Sequence, residues 1–186
     1  MRSRNCSWRA SRSTKALRSQ IVFFAAISLS AAASAQTGLQ PAAADDIAGA
    51  VIDCWNAVGE KAVDRRNLEA AGWQFAPGSD SQGKPVSTPL SLYARAGRQA
   101  AIMIAEGSST PMCSVIARVA SPDDLGKAAG AIQKKLVALN PQVKATRDGE
   151  SLVFLALPKL AMADSTGSKD KPAIRIVVGY QNPEKK

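Results

Sequence analysis

The sequence predicts an α+β domain: one antiparallel sheet of about five to six strands with two or three helices on one face, in the order α-α-β-β-β-α-β-β-β. Three observations carry this expectation. Apolar residues recur at helical spacing in two separated stretches, the segments after each stretch alternate or run briefly apolar, and Gly, Pro, Asn and Asp punctuate the joins.

The first helix opens at Asp45 and Asp46. Behind them Ile47, Val51, Cys54, Trp55, Val58 and Ala62 recur three and four apart, one apolar stripe with acids at the positive end of the helix dipole. Asp64 is placed to cap a second, shorter helix through Leu68 to Ala71, and Gly72 suits the left-handed position that ends it. Trp73 and Phe75 follow as apolar anchors, and residues 77–89 read as a loop from their Gly, Pro, Ser and Asp content.

Three strands come next. Leu90, Leu92 and Ala94 alternate with Ser91, Tyr93 and Arg95, the period of a half-buried strand, with Tyr93 on the outward phase as a candidate exposed contact. Residues 96–98 turn the chain into an apolar run at 100–105, and residues 112–119 make the third strand after a second turn.

Ser121-Pro122-Asp123-Asp124 reads as an N-cap serine, a first-position proline and two acids in the first turn of a helix. Leu125, Ala129, Ile132, Leu136 and Leu139 form its stripe, Lys127, Lys134 and Lys135 lie off it, and Asn140-Pro141 stops it. Gly126 and Gly130 would give that helix a thin face for close packing on the sheet. Strand-like runs at 143–146 and 151–157 flank an Asp148-Gly149 hairpin signal, a polar loop spans 163–172, and a final strand covers 173–180. The order gives two successive units, each a helical part followed by a three-stranded meander, with no residue-level repeat between them.

The 186 residues carry a formal charge of +9, an invitation to look for nucleic acid. The location of the charge argues otherwise. Six of the 24 cations, Arg2, Arg4, Arg9, Arg12, Lys15 and Arg18, precede residue 20 with no acid among them, which leaves 18 cations against 15 acids, or +3, for the rest. An uncharged apolar run at 21–35 follows and ends in Ala33-Ser34-Ala35. A basic start, a short apolar run and an Ala-x-Ala ending read as a secretory signal peptide over residues 1–35, cut between Ala35 and Gln36. The run is shorter than the roughly 20 residues of a membrane span, so an uncleaved anchor is the second reading. Residues 36–44 read as a mobile leader, 45–181 as a single α+β domain and 182–186 as a frayed tail.

Export changes the meaning of the cysteines. Without Cys6, Cys54 and Cys113 remain as an even pair in an oxidising compartment, where a disulfide is expected. There is no histidine, which excludes His-based triads, an imidazole general base and His-ligated metal. A phosphate-loop spacing from Gly78 to Lys84 fails at Pro85, where a hydroxyl is required for magnesium. The paired acids Asp45/Asp46 and Asp123/Asp124 sit at helix starts, no Gly-x-Ser-x-Gly elbow occurs, and no loop has the acid spacing of a calcium site. No catalytic, cofactor-binding or metal-binding residue is therefore assigned.

These residues point to a small exported protein of non-catalytic binding type, acting on an envelope protein or a small ligand through its sheet face or its long loops, without nucleic acid and without stable membrane insertion after cleavage. Two alternatives compete with it. An envelope hydrolase using Ser and Lys or a carboxylate requires a buried lysine or facing carboxylates in a deep pocket. A polyanion- or lipid-associating protein requires Lys127, Lys134 and Lys135 to share a face with Lys169, Lys171 and the terminal lysines.

Overall fold

The structure, a computed structural model, describes residues 40–78, 82, 84 and 86–181. The expected signal segment, the Ala35/Gln36 cleavage site, part of the 77–89 loop and the 182–186 tail lie outside the described residues. The chain divides into Met1–Gly38 and Leu39–Lys186, and the described residues belong to the second unit.

Helix α1 (Ala44–Ala57) buries Ile47, Val51, Cys54 and Trp55, as the spacing predicts. It stops before Val58, which is extended and bridges Val63, so Ala62 leaves the stripe for the loop ahead of α2 (Arg65–Ala70). The Asp64 carboxylate accepts from the Arg66 backbone N–H at 3.0 Å, and Gly72 adopts φ +87°, the cap and the stop expected there. Before α1, Pro41 bridges Arg118 and the Ala42 N–H donates to the Arg118 carbonyl at 2.8 Å, so this part of the expected mobile leader is docked.

The sheet has eight strands instead of five or six: β1 (Gln74–Ala76), β2 (Leu90–Ala94), β3 (Ala100–Ala105), β4 (Met112–Arg118), β5 (Lys144–Asp148), β6 (Ser151–Ala156), β7 (Lys159–Ser168) and β8 (Lys171–Tyr180). All neighbours are antiparallel, in the order β1-β2-β3-β4-β8-β7-β6-β5. The two additional strands come from segments without strand alternation. The anchors Trp73 and Phe75 flank and occupy β1, and the polar 163–172 segment is the far half of a long β7–β8 ribbon closed by a turn at Lys169-Asp170. There Gly167, at φ +85°, sits so close to the returning strand that a Cβ would lie 2.3 Å from the Lys171 carbonyl oxygen, which only glycine avoids. The Asp-Gly hairpin forms as expected, with Asp148 paired to Ser151 and Gly149 at φ +59°.

The two-unit reading survives with longer meanders. Four strands, β1 to β4, follow α1 and α2; four more, β5 to β8, follow α3 (Asp123–Leu139); and the last strand of each meander meets the other at the centre, β4 against β8.

Helix α1 packs on β3, β4 and β8, and both α2 and α3 pack on α1. On α3 the buried residues are Ala128, Ile132 and Leu136, so the stripe is turned by about one residue from Ala129, and Leu139 is exposed. Gly126 and Gly130 do not pack on the sheet: both are exposed, and a Cβ on either would meet nothing within 4 Å. Ser121 does not cap through a backbone N–H; its hydroxyl donates to the Asp124 carboxylate at 2.8 Å while the first turn closes from the Ser121 and Pro122 carbonyls.

The core is continuous between the helices and one sheet face, with Ile102, Val115, Ile176 and Phe154 each wholly buried. Inside it Cys54 of α1 and Cys113 of β4 form a disulfide, Cα atoms 5.7 Å apart and both residues at 0% exposure.

Candidate functional site

A two-layer α+β fold leaves one face of its sheet without helices, and that face is normally polar. Here the register makes the middle of it largely apolar. Ala76, Leu92, Met103, Ser114, Val177, Met162, Val153 and Thr146 stand side by side in one row across all eight strands. A second row runs through Met112, Gly179, Leu160 and Leu155. The side chains are mostly half-buried by one another, while Leu90 and Met112 are 46% and 37% exposed. Three of the four methionines in the chain, Met103, Met112 and Met162, lie here, and Met1 is the fourth. None of these three is in the core, which is built from Ile, Val, Leu, Ala, the two disulfide cysteines and aromatic residues.

Where β4, β8 and β7 meet, the face dips into a shallow depression of about 300 Å³, walled by Met112, Leu160, Met162 and Val177 and ending at Thr110, Tyr180 and Gln181. Gly179 is its floor. A Cβ there would have Met112 Cγ, at 3.9 Å, as its nearest neighbour, so a methyl group is accommodated and the glycine leaves the dip open. Glycine within a strand costs about 0.5–1 kcal/mol against alanine, and no positive φ is recorded at Gly179 to require it. A second, polar depression of about 530 Å³ adjoins at the sheet end, lined by Glu60, Lys61, Ser109 and Pro111 and sharing Thr110, Tyr180 and Gln181 with the first.

Apart from Glu60 and Lys61 of the polar depression, the strongest charged contacts lie elsewhere. At the opposite end of the open face the Ser151 hydroxyl donates to Asp164 at 2.5 Å and Arg175 pairs with it at 3.1 Å; the hydroxyl first and the guanidinium second hold the carboxyl below its ordinary range. On the helix side Ser91 and Arg65 both donate to Glu106, and Ser91 above all pulls that carboxyl down. The Lys159 ammonium, pushed down by burial, donates to the Trp55 carbonyl at 2.6 Å, one of the carbonyls left free at the end of α1. Lys159 is the nearest thing to the buried lysine a hydrolase needs, but it lines neither depression. Among the described residues no three Cys, Asp or Glu side chains cluster for a metal ion, and no helix is long and apolar enough to cross a membrane.

The residues singled out from sequence are dispersed. Tyr93 is the reverse of an outward contact: it is 2% exposed, its ring meets Phe75 edge-on at 6.0 Å, and burial pushes its phenol up. Lys127 pairs with Asp124 at 2.7 Å, Lys135 donates to the Asp45 carbonyl at 3.2 Å, and Lys134 is exposed on α3. Lys169 is at the β7–β8 turn, and Lys171 falls in register with the open face, two residues from Ala173, away from the helices. The lysines of α3 and of the ribbon therefore do not share a face, and the terminal lysines lie outside the described residues. What sequence reasoning missed is the open face itself; the signal present was the clustering of methionines on strands.

Comparison of the chain with protein-family models, with curated proteins and with solved structures finds no match.

Proposed function

We propose that this is an exported, non-catalytic binding protein of the cell envelope that takes its partner on the open face of the sheet. The observation that carries the reading is that face: two adjacent, largely apolar rows with the three methionines of the described sheet and an apolar depression whose lining holds no carboxylate, lysine or cysteine. An apolar sheet face of this extent is a recognition surface in a soluble protein. Methionine suits it because an unbranched thioether adjusts to the shape it meets. Export is supported by the basic, then apolar start of the chain and by the buried disulfide, which persists in oxidising compartments.

The test is site-directed photocrosslinking in the native envelope. A photoreactive residue at Met103, on the open face, is expected to give discrete adducts that a Val177→Asp variant loses, while the same residue at Lys134 on α3 gives none. Equal adducts from both positions, or adducts at Met103 indifferent to Val177→Asp, would overturn the reading.

A further inference from the structure

The two depressions differ in chemistry and touch. The apolar one lies on β4, β8 and β7, and the polar one wraps round the sheet end to the loop between α1 and α2, with Thr110, Tyr180 and Gln181 common to both. Both are shallow, about 300 and 530 Å³, and open to solvent. Three adjacent strands place the apolar part about 10 Å across. That is a strip, and it is floored by a glycine with unoccupied room for a methyl group and flanked by Met112 and Met162.

The polar part is matched to a head group of a particular kind. Glu60 and Lys61 are consecutive and opposite in charge, and Ser109, Thr110 and Gln181 add hydroxyl and amide groups that both donate and accept. A purely anionic head meets the Glu60 carboxylate and a purely cationic one meets the Lys61 ammonium, whereas a dipolar head can place each end against its opposite. Resting on the binding reading above, we propose that the two depressions are one site for a small single-chain amphiphile, its hydrocarbon chain on Met112, Leu160, Met162 and Val177 and a head of no net charge at Thr110, Gln181 and the Glu60–Lys61 loop.

The probes are octyl-, decyl- and dodecylphosphocholine, with decanoate and decyltrimethylammonium as anionic and cationic controls, all below micelle formation. They are titrated into the purified protein by calorimetry and by NMR of methyl-labelled methionine. The expected result is saturable one-site binding that tightens about two- to fourfold per added methylene until the strip is filled. The Met112 and Met162 methyls should move, and Met103, on β3 two strands from Val177 and outside the lining, should move least. Decanoate and decyltrimethylammonium should bind at least about tenfold more weakly than decylphosphocholine.

Gly179→Leu fills the floor and is expected to weaken decylphosphocholine at least about tenfold with the melting temperature maintained or raised. Should that variant fail to fold, Gly179→Ala and Met162→Gln carry the same test with smaller losses. The proposal is overturned by non-saturable binding, by equal affinity for the three decyl heads, by wild-type affinity in folded Gly179 variants, or by uniform shifts at all methionines. It is also overturned if an amphipathic peptide saturates the face while none of the amphiphiles does. In that case Met103 adducts lost in Val177→Asp would still uphold the binding reading, so the two fail separately.

Discussion

Breaking the Cys54–Cys113 bridge without altering the sequence should cost this protein a large part of its stability. The bridge joins residues 59 apart, and for a loop of that length the chain-entropy relation gives about 14 cal/mol/K of lost freedom in the unfolded chain, or about 4 kcal/mol at 25 °C. Domains of this size are stable by about 5–15 kcal/mol, so the bridge is a substantial share of the total. The assay is urea unfolding of the oxidised and the reduced wild type, which leaves every side chain outside the bridge in place. With a slope of about 2 kcal/mol/M, the midpoint should fall by about 2 M on reduction. A fall of less than about 0.5 M would refute the entropy argument. Burial adds a kinetic corollary. Both cysteines are at 0% exposure, between α1 and β4, so a small thiol reaches the sulfurs only when the helix lifts or the domain opens. Reduction in native buffer should therefore be no faster than opening, and reduction at the rate of a solvent-exposed disulfide would contradict the packing described.

Three further outcomes are expected. Gly126→Ala and Gly130→Ala in α3, where a Cβ meets nothing within 4 Å, should each raise stability by about 1 kcal/mol and the melting temperature by about 3 °C in a thermal scan; a loss would mean that this helix face is covered in the native protein. Asp164, with its folded pKa depressed by Ser151 and then Arg175, contributes stability that is present above the unfolded value of about 3.9 and lost as pH falls through the folded one. Asp164→Asn should thus be less stable than wild type at pH 7 and converge with it in acid, as followed by urea midpoints against pH; parallel curves would show that the carboxylate pairing is not responsible. Phe154→Ala, removing a ring at 0% exposure on β6, should cost about 3–5 kcal/mol by chemical denaturation, and a cost under 1 kcal/mol would place that ring outside the core.

The helices were readable because each announces itself twice, by a stripe and by its ends. Ile47, Val51, Cys54 and Trp55 with the Asp64 cap and Gly72 stop are found where their spacing and chemistry put them. On α3 the element is found but its buried face and its cap are misassigned, and the larger failures are in the sheet. On β2 the rule that the apolar phase points inward assigns Leu90 and Leu92 to the core and Tyr93 to solvent, and the structure has the reverse. The rule presumes a polar outer face, and around β2 this sheet has an apolar one: with Met103 and Val177 across the open side, Leu92 is as well placed there as in the core, and Tyr93 turns inward with its ring edge-on to Phe75. The polar residues 163–172 were unreadable as strand because their pairing is supplied by the opposite strand of one hairpin instead of by side-chain burial. The candidate site inherits the same difficulty. A depression assembled from Thr110, Met112, Leu160, Met162 and Val177 is a product of strand order, and only the concentration of methionine outside the helices gave any local hint of it.

The position of β8 bears on how the chain is assembled. Residues 171–180 are the later partner of both β4 and β7, and they alone connect the two meanders by hydrogen bonds. Until they emerge from the ribosome or from an export channel, β4 and β7 each keep a bare edge, and the halves of the sheet have no backbone link. The β4–β8 pairing, between segments far apart along the chain, is of the kind that forms late. A polypeptide that must be threaded in an unfolded state gains from such an arrangement, since its strongest cross-links await the arrival of one late segment. The liability is equally specific: a chain arrested before Lys171 presents two strand edges from the middle of a sheet, and those edges are competent to pair with another copy.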